Sequence, residues 1–220
     1  MQRSLEERLA QGLRHALLPA DAALRGRMLD ALLVDGRPGR PVGRPDDDRE
    51  VDVAATPGRI AHAGLVLAGP FLPRLFDRLE LTRDGEFVDL RAMERGVQAL
   101  SALVTGDAQH RGDRRLARIL CAVPDGARLT DEPLLSEAEL EAIDGLAAAL
   151  ISNWGALGNT SITGLRESFL DRHGVLDDEE DGWRLRVETR AYDVLLDRLP
   201  WGISVLRFRW MAKPVFVTWR

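Results

Sequence analysis

Cysteine is almost missing from this chain, with Cys121 the single example in 220 residues. An internal disulfide is therefore excluded, and so is a Cys-rich zinc pattern. Lysine is equally scarce. Lys213 is the one lysine among 30 basic residues, which leaves 30 − 1 = 29 arginines. A GC-rich genome accounts for that bias, although arginine also lies more easily than lysine against apolar surface. No excess of positive charge exists either: 30 − 35 gives −5, with pI near 5.5. That balance argues against a general nucleic-acid footprint. Long apolar runs are absent as well, none approaching the roughly 20 residues that cross a bilayer. The N-terminal stretch MQRSLEERLAQGLR alternates charges with leucines and lacks the apolar centre of a signal peptide. The expectation is a cytoplasmic chain with no nucleic-acid partner and no membrane insertion.

What is present is enough to build a core. The chain is 45% hydrophobic and 30% charged, too apolar for wholesale disorder and sized for one large domain or a domain with an appendage. Leu5, Leu9, Leu13 and Leu17 recur at every fourth residue, and Leu24, Met28 and Leu32 repeat the stripe after Pro19. This spacing predicts an N-terminal amphipathic helical segment over 1–34. GRPGRPVGRPDDDRE follows (36–50), and its glycine, proline and charge predict a flexible linker over 35–57. Residues 58–220 form the expected core domain, helical to about 175 and mixed beyond.

Within that core, IAHAGLVLAG and RLFDRLEL predict two short helices around Pro70-Phe71-Leu72-Pro73. Phe87, Leu90, Met93, Val97, Leu100 and Val104 mark one face of a longer helix stopping near Gly106, and Leu116, Ile119 and Leu120 mark another. Ser136 and Glu139 form a capping box, in which each side chain satisfies a backbone donor of the other. The helix they open turns Leu140, Ile143, Ala147, Leu150 and Trp154 to one side. Thr160 or Ser161 caps the next, with Ile162, Leu165 and Phe169 inward and Gly174 as terminator. The acidic run DDEED (177–181) reads as a solvated turn before a strand, Trp183–Val187, whose residues alternate. A short helix turns Ala191, Val194, Leu195 and Leu199 inward, then Ile203–Phe208 and Val215–Trp219 are strand candidates. The predicted class is α+β, mostly helical with a small C-terminal β-sheet.

Nothing in this pattern carries catalytic chemistry. G-x-S-x-G, a P-loop, H-E-x-x-H and G-x-G-x-x-G are all missing. His15, His62, His110 and His173 are scattered without metal-ligand spacing. Cys121 ends an apolar helix, where a thiol is buried and inert. Ser161 with His173 is a conceivable catalytic pair, but a helix cap explains Ser161 better. DDEED lacks the alternating ligands and turn glycine of an EF-hand. The expected catalytic, cofactor and metal residues are therefore none. The five tryptophans, Trp154, Trp183, Trp201, Trp210 and Trp219, crowd into the last third. One reading makes every indole core. The other makes Trp201 or Trp210, beside Pro200 and Pro214, an anchor for a partner, with Arg207 and Arg209 at hand.

Three stretches carry a resemblance. They are His62-Ala63-Gly64-Leu65-Val66-Leu67-Ala68-Gly69-Pro70-Phe71-Leu72-Pro73-Arg74-Leu75-Phe76, the run from Asn153-Trp154-Gly155 through Thr160-Ser161-Ile162 to Phe169-Leu170, and Leu199-Pro200-Trp201 followed by Arg209-Trp210-Met211-Ala212-Lys213-Pro214. Together they resemble the contractile injection system tape measure family, over roughly 59–220. His62 stands where asparagine is expected and Arg209 where a proline precedes the tryptophan. The resemblance implies a structural component of a phage-tail-like particle that helps set tube and sheath length, with tube, baseplate or hub proteins as partners. An assembly chaperone or cytoplasmic adaptor is the alternative. A continuous helix of the whole chain would span about 330 Å, and the prolines and strands forbid even that. A compact form has a radius of gyration of roughly 17 Å. An assembly component fits that size better than a ruler does.

Overall fold

The computed structural model describes residues 58–130 and 132–220. The helical segment expected over 1–34 and the linker expected over 35–57 lie outside the described residues. The protein is α+β, with a five-stranded sheet and a two-stranded hairpin set among short helices. The chain enters as strand β1 (Arg59–Ile60), turns into a 3-10 segment (Ala63–Phe71) and continues as helix α1 (Leu72–Arg78). Strands β2 (Thr82–Arg83) and β3 (Glu86–Phe87) form the hairpin. Helices α2 (Leu90–Thr105), α3 (Arg115–Leu120) and α4 (Glu137–Asn153) follow. A short helix α5 (Ile162–Leu165) runs on into a π turn (Arg166–Leu170). Strands β4 (Gly174–Glu179) and β5 (Gly182–Val187) precede a second long 3-10 segment (Ala191–Arg198), and β6 (Val205–Leu206) and β7 (Val215–Thr218) close the chain.

The sheet order is β1-β4-β5-β7-β6. Its edge strand β1 comes from the start of the core, so the sheet is not purely C-terminal. β5 and β7 are parallel, with Leu185 opposite Val217. A parallel pair needs a long crossover between its strands. Here the crossover is residues 188–214, which contains Trp201, Arg207, Arg209 and Trp210.

The apolar run at 63–69 is buried at every position, because it is pressed between the sheet and the π turn. A Cβ on Gly64 would overlap the Phe169 carbonyl oxygen and stand 2.7 Å from Leu170 Cα. Only glycine permits that approach of two backbones. Pro70 has no N–H to return to the Leu67 carbonyl three residues back. The Trp201 indole supplies the missing donor, at 3.0 Å.

Remote side chains satisfy other helix ends in the same way. Arg166 donates to the carbonyls of Leu103 (3.0 Å) and Ala102 (3.1 Å) at the end of α2, where Gly106 takes the left-handed conformation at φ 78°. Trp210 donates to Leu120 at the end of α3, at 2.8 Å. The capping box of α4 is formed as expected: Glu139 N–H donates to Ser136 Oγ (3.4 Å) and Ser136 N–H to Glu139 Oε2 (2.8 Å).

The deepest polar contact is Arg172 with Asp193, their side chains 0% and 2% exposed. Nη2 of Arg172 bonds Asp193 Oδ1, while Nε donates to Ser168 O (2.6 Å) and Nη1 to Glu188 O (3.0 Å). Asp193 Oδ2 accepts from Arg190 N–H (2.8 Å) and the Trp219 indole (3.0 Å). The guanidinium also lies over the rings of Tyr192 (4.9 Å) and Trp219 (5.6 Å).

Several sequence expectations are corrected. Phe87 sits in β3, not on the α2 face, and Leu90 is 44% exposed because it opens α2 at the surface. Gly174 does not stop a helix. It begins β4, and the acidic run is mostly strand, with Asp177–Glu179 paired to β5. The acids stay solvated there through cross-strand pairs such as Asp177–Arg186 (3.0 Å) and through Asp178–Lys213 (2.9 Å). In the segment after β5, Val194 is 48% exposed and Asp193 is buried in its place. The strand expected over Ile203–Phe208 shrinks to Val205–Leu206.

Two pairs of substitutions test this packing. Gly64→Ala should cost more than about 3 kcal/mol in a denaturant melt, since overpacking against rigid backbone has no relief. Gly145→Ala, whose Cβ would meet nothing within 4 Å, should instead stabilise α4 by about 0.5–1 kcal/mol. Asp193→Ala should cost about 3–5 kcal/mol, because it strands a buried charge. The double change Arg172→Met with Asp193→Leu should recover only part of that loss in the same urea titration, because it leaves the Ser168 and Glu188 carbonyls, the Arg190 amide and the Trp219 indole unpaired.

Candidate partner-binding surface

The sequence offers four candidate contact residues, and the crossover sorts them into two neighbourhoods. Trp201 is half-buried, its ring edge-on to Phe71 at 5.0 Å. With Leu196, Leu199, Ile203 and Trp219 it lines a groove of about 410 Å³. The rim carries an ion pair, Arg220 Nη1 to Asp197 Oδ1 at 2.6 Å. Both indole N–H groups of this groove are spent inside the protein, Trp201 on Leu67 and Trp219 on Asp193. The outward walls of the groove combine apolar side chains with a comparable polar share from the Asp197–Arg220 rim.

Trp210 stands at the β2–β3 hairpin. It stacks on Phe208 (4.9 Å, 25°) and meets Phe87 (5.4 Å) and Phe76 (5.8 Å) edgewise or tilted. Arg209 is exposed and drapes over Gly85, with its Nε 3.8 Å from Glu86 Oε1. Gly85 has φ 79°, so the turn beneath the arginine favours glycine for its conformation. Arg207 is exposed on the same loop. Trp210 and Arg209 thus share one patch, and Trp201 belongs to the groove. The indoles are neither fully core nor free.

Sequence reasoning missed three things here. Val88 (46% exposed) and Val205 (50%) are apolar side chains left at the surface. Trp219 joins Trp201, although eighteen residues separate them in the chain. Asp193 holds Trp219, one wall of the groove, through its indole N–H. Its only local signal was an acid inside an otherwise apolar stripe, and the partner Arg172 is 21 residues away.

The residues weighed as catalytic candidates are engaged in local structural contacts. Ser161 Oγ accepts from Gly164 N–H at 3.0 Å and caps α5. Thr160 Oγ1 instead donates to Leu157 O at 2.6 Å. His173 pairs with Glu188, Nδ1 to Oε2 at 3.8 Å. Cys121 is fully buried, and burial pushes its thiol well above the ordinary range. Among the described residues no group of three His, Cys, Asp or Glu could hold a metal ion, and no helix is long and apolar enough to cross a membrane.

Comparison with family models decides the ancestry. The model described as contractile injection system tape measure protein matches residues 42–219, most of the chain. The protein belongs to that family. Comparisons with curated proteins and with solved structures gave no match. The tape measure family is a structural one and not an enzyme family, and membership supports a structural or assembly role. The stretches that carry the resemblance touch one another in the fold: Gly64 lies on Phe169 and Leu170, and Trp201 bonds Leu67. The unexpected His62 has an explanation too. It takes φ 58°, ψ 26°, the left-handed region that asparagine and histidine both tolerate.

Ser161→Ala should lower stability by about 0.5–2 kcal/mol through loss of the α5 cap. Thr160→Ala, which removes only the bond to Leu157, should cost less. Paired thermal melts would show that order, and a reversed order would reassign the cap.

Proposed function

We propose that this protein is a non-enzymatic assembly component of a contractile injection particle. It works in the cytoplasm, where it binds tube, baseplate or hub proteins through the 188–214 crossover. The family match over 42–219 carries this reading. Trp201, Arg207, Arg209 and Trp210 are the contact residues: two half-buried rings for apolar anchorage, two exposed guanidiniums for orientation. Tryptophan and arginine dominate binding hot spots because each joins a large apolar surface to fixed polar geometry.

The protein influences tube and sheath length through assembly, not as a rod laid along the tube. Its longest described helix has 17 residues and spans only about 26 Å. The same compactness favours a second reading, an adaptor or assembly chaperone that leaves before the particle is complete. Purified particles separate the two: a stoichiometric band marks a retained component, whereas assembly that needs the protein but excludes it marks a chaperone. Intact particles of unchanged length and number from cells lacking the gene would defeat both.

Arg207→Ala and Arg209→Ala should each leave stability within about 0.5 kcal/mol, since both side chains are exposed. Their combination should nevertheless reduce particle yield, counted by electron microscopy. Normal yield from the double variant would remove the arginines from the contact surface.

A further inference from the structure

Two of the histidines meet at the point where β1 passes into the first 3-10 segment. The ring centroids of His62 and His110 are 5.2 Å apart, and His62 is 6% exposed. The bonds around it hold the edge of the fold together. Ala61 N–H donates to Asp113 Oδ2 (3.0 Å), Ala63 N–H donates to Arg172 O (2.7 Å), and Ile60 pairs with Gly174. Strand β1 has only two residues, and Arg115 covers the Arg59 carbonyl beside it. This is a short, finely held junction.

The groups facing His62 come from three places. Asp171 follows the π turn, His110 and Asp113 lie in the loop before α3, and His173 leads into β4. Asp113 is already engaged by Ala61 N–H and by Arg115 at 2.7 Å. Asp171 Oδ1 lies 3.7 Å from His62 Nε2, but that carboxylate is 57% exposed, so water screens it. A proton on His62 would therefore sit in a buried place, beside a second imidazole, with a weak counter-ion.

We propose that His62, packed on the His110 ring, is an acid-sensitive latch: neutral, it packs β1 and the 3-10 segment onto the π turn, and charged, it releases them. Burial is the largest influence on His62 and holds it below the ordinary value of 6.5, with His110 and His173 adding to the effect and Asp171 and Asp113 opposing it. The unfolded segment thus takes up a proton first as the pH falls. Stability present above 6.5 is lost between 6.5 and the lower folded value, and the loss is complete below it. The Arg172–Asp193 contact contains no histidine, so the pairing of β5 with β7 keeps its hold while the junction loosens.

Asparagine at position 62 keeps the left-handed backbone but cannot titrate. Hydrogen exchange of the full chain, corrected for intrinsic rates, would be compared at pH about 7.5 and about 5.5, on either side of the histidine range. Peptides covering 58–71 should lose protection at the lower pH in the native protein and keep it in His62→Asn, while peptides of β5 and β7 hold in both. Equal loss in the two proteins, or none in the native one, would overturn the latch. His110→Gln is the second arm and should flatten the same response by removing the imidazole packed against His62. An unchanged response in His110→Gln overturns the pairing, and that variant decides alone should His62→Asn fail to fold.

Discussion

A buried arginine bonded to a buried aspartate is the contact on which the rest of this architecture hangs. Arg172 lies just past the π turn and Asp193 in the first turn of the second 3-10 segment, and each gathers a further piece of chain. Through them the π turn, the exit of β5, the crossover and the last strand meet at one point. Two opposite charges out of water are stable only when every remaining donor and acceptor is met. Here they are met by the Ser168 and Glu188 carbonyls, the Arg190 amide and the Trp219 indole. Such a contact tolerates few alternative packings. It therefore fixes where the crossover lies, and with it the groove between Trp201 and Trp219.

The tryptophans extend the same logic. They crowd in the last third of the chain, but their indoles reach back across the fold. Trp201 donates to Leu67, Trp210 to Leu120 and Trp154 to Leu195. The first two carbonyls are left open by Pro70 and by the end of a helix. Trp201 and Trp210 thus each remove an unmet backbone acceptor while adding apolar area and sit half-buried at seams, whereas Trp154 is fully buried in the core.

How much of this was legible in the sequence follows range. The capping box at Ser136, the cap at Ser161 and the strand at Trp183–Val187 depend on residues a few positions apart, and periodicity finds them. β4 was hidden because its second half is acidic, and those acids are held by Arg184, Arg186 and Lys213, partners outside their own strand. The inward face at 191–199 was misjudged because a buried aspartate outranks a valine when an arginine waits 21 residues upstream. Leu90 and Val194 matched the apolar spacing and still face solvent. Of the candidate contact residues, type and crowding were visible, whereas the split between groove and hairpin depends on the crossover.

A surface assembled this way binds differently from one made of free polar groups. Because the indole donors of the groove are already engaged within the chain, an incoming apolar side chain displaces water without stranding a buried N–H. The rings are held by internal bonds, so little side-chain freedom is left to lose on contact. Arg207 and Arg209 stay exposed at the neighbouring patch, where, on the proposed reading, they would discriminate orientation by charge and add little to affinity at a screened rim. Rigid apolar anchors with a charged margin suit a protein that must seat once, in one orientation, in a stepwise assembly. A ruler needs length and repetition, and the described chain provides a seam-locked core with a parallel crossover on its surface.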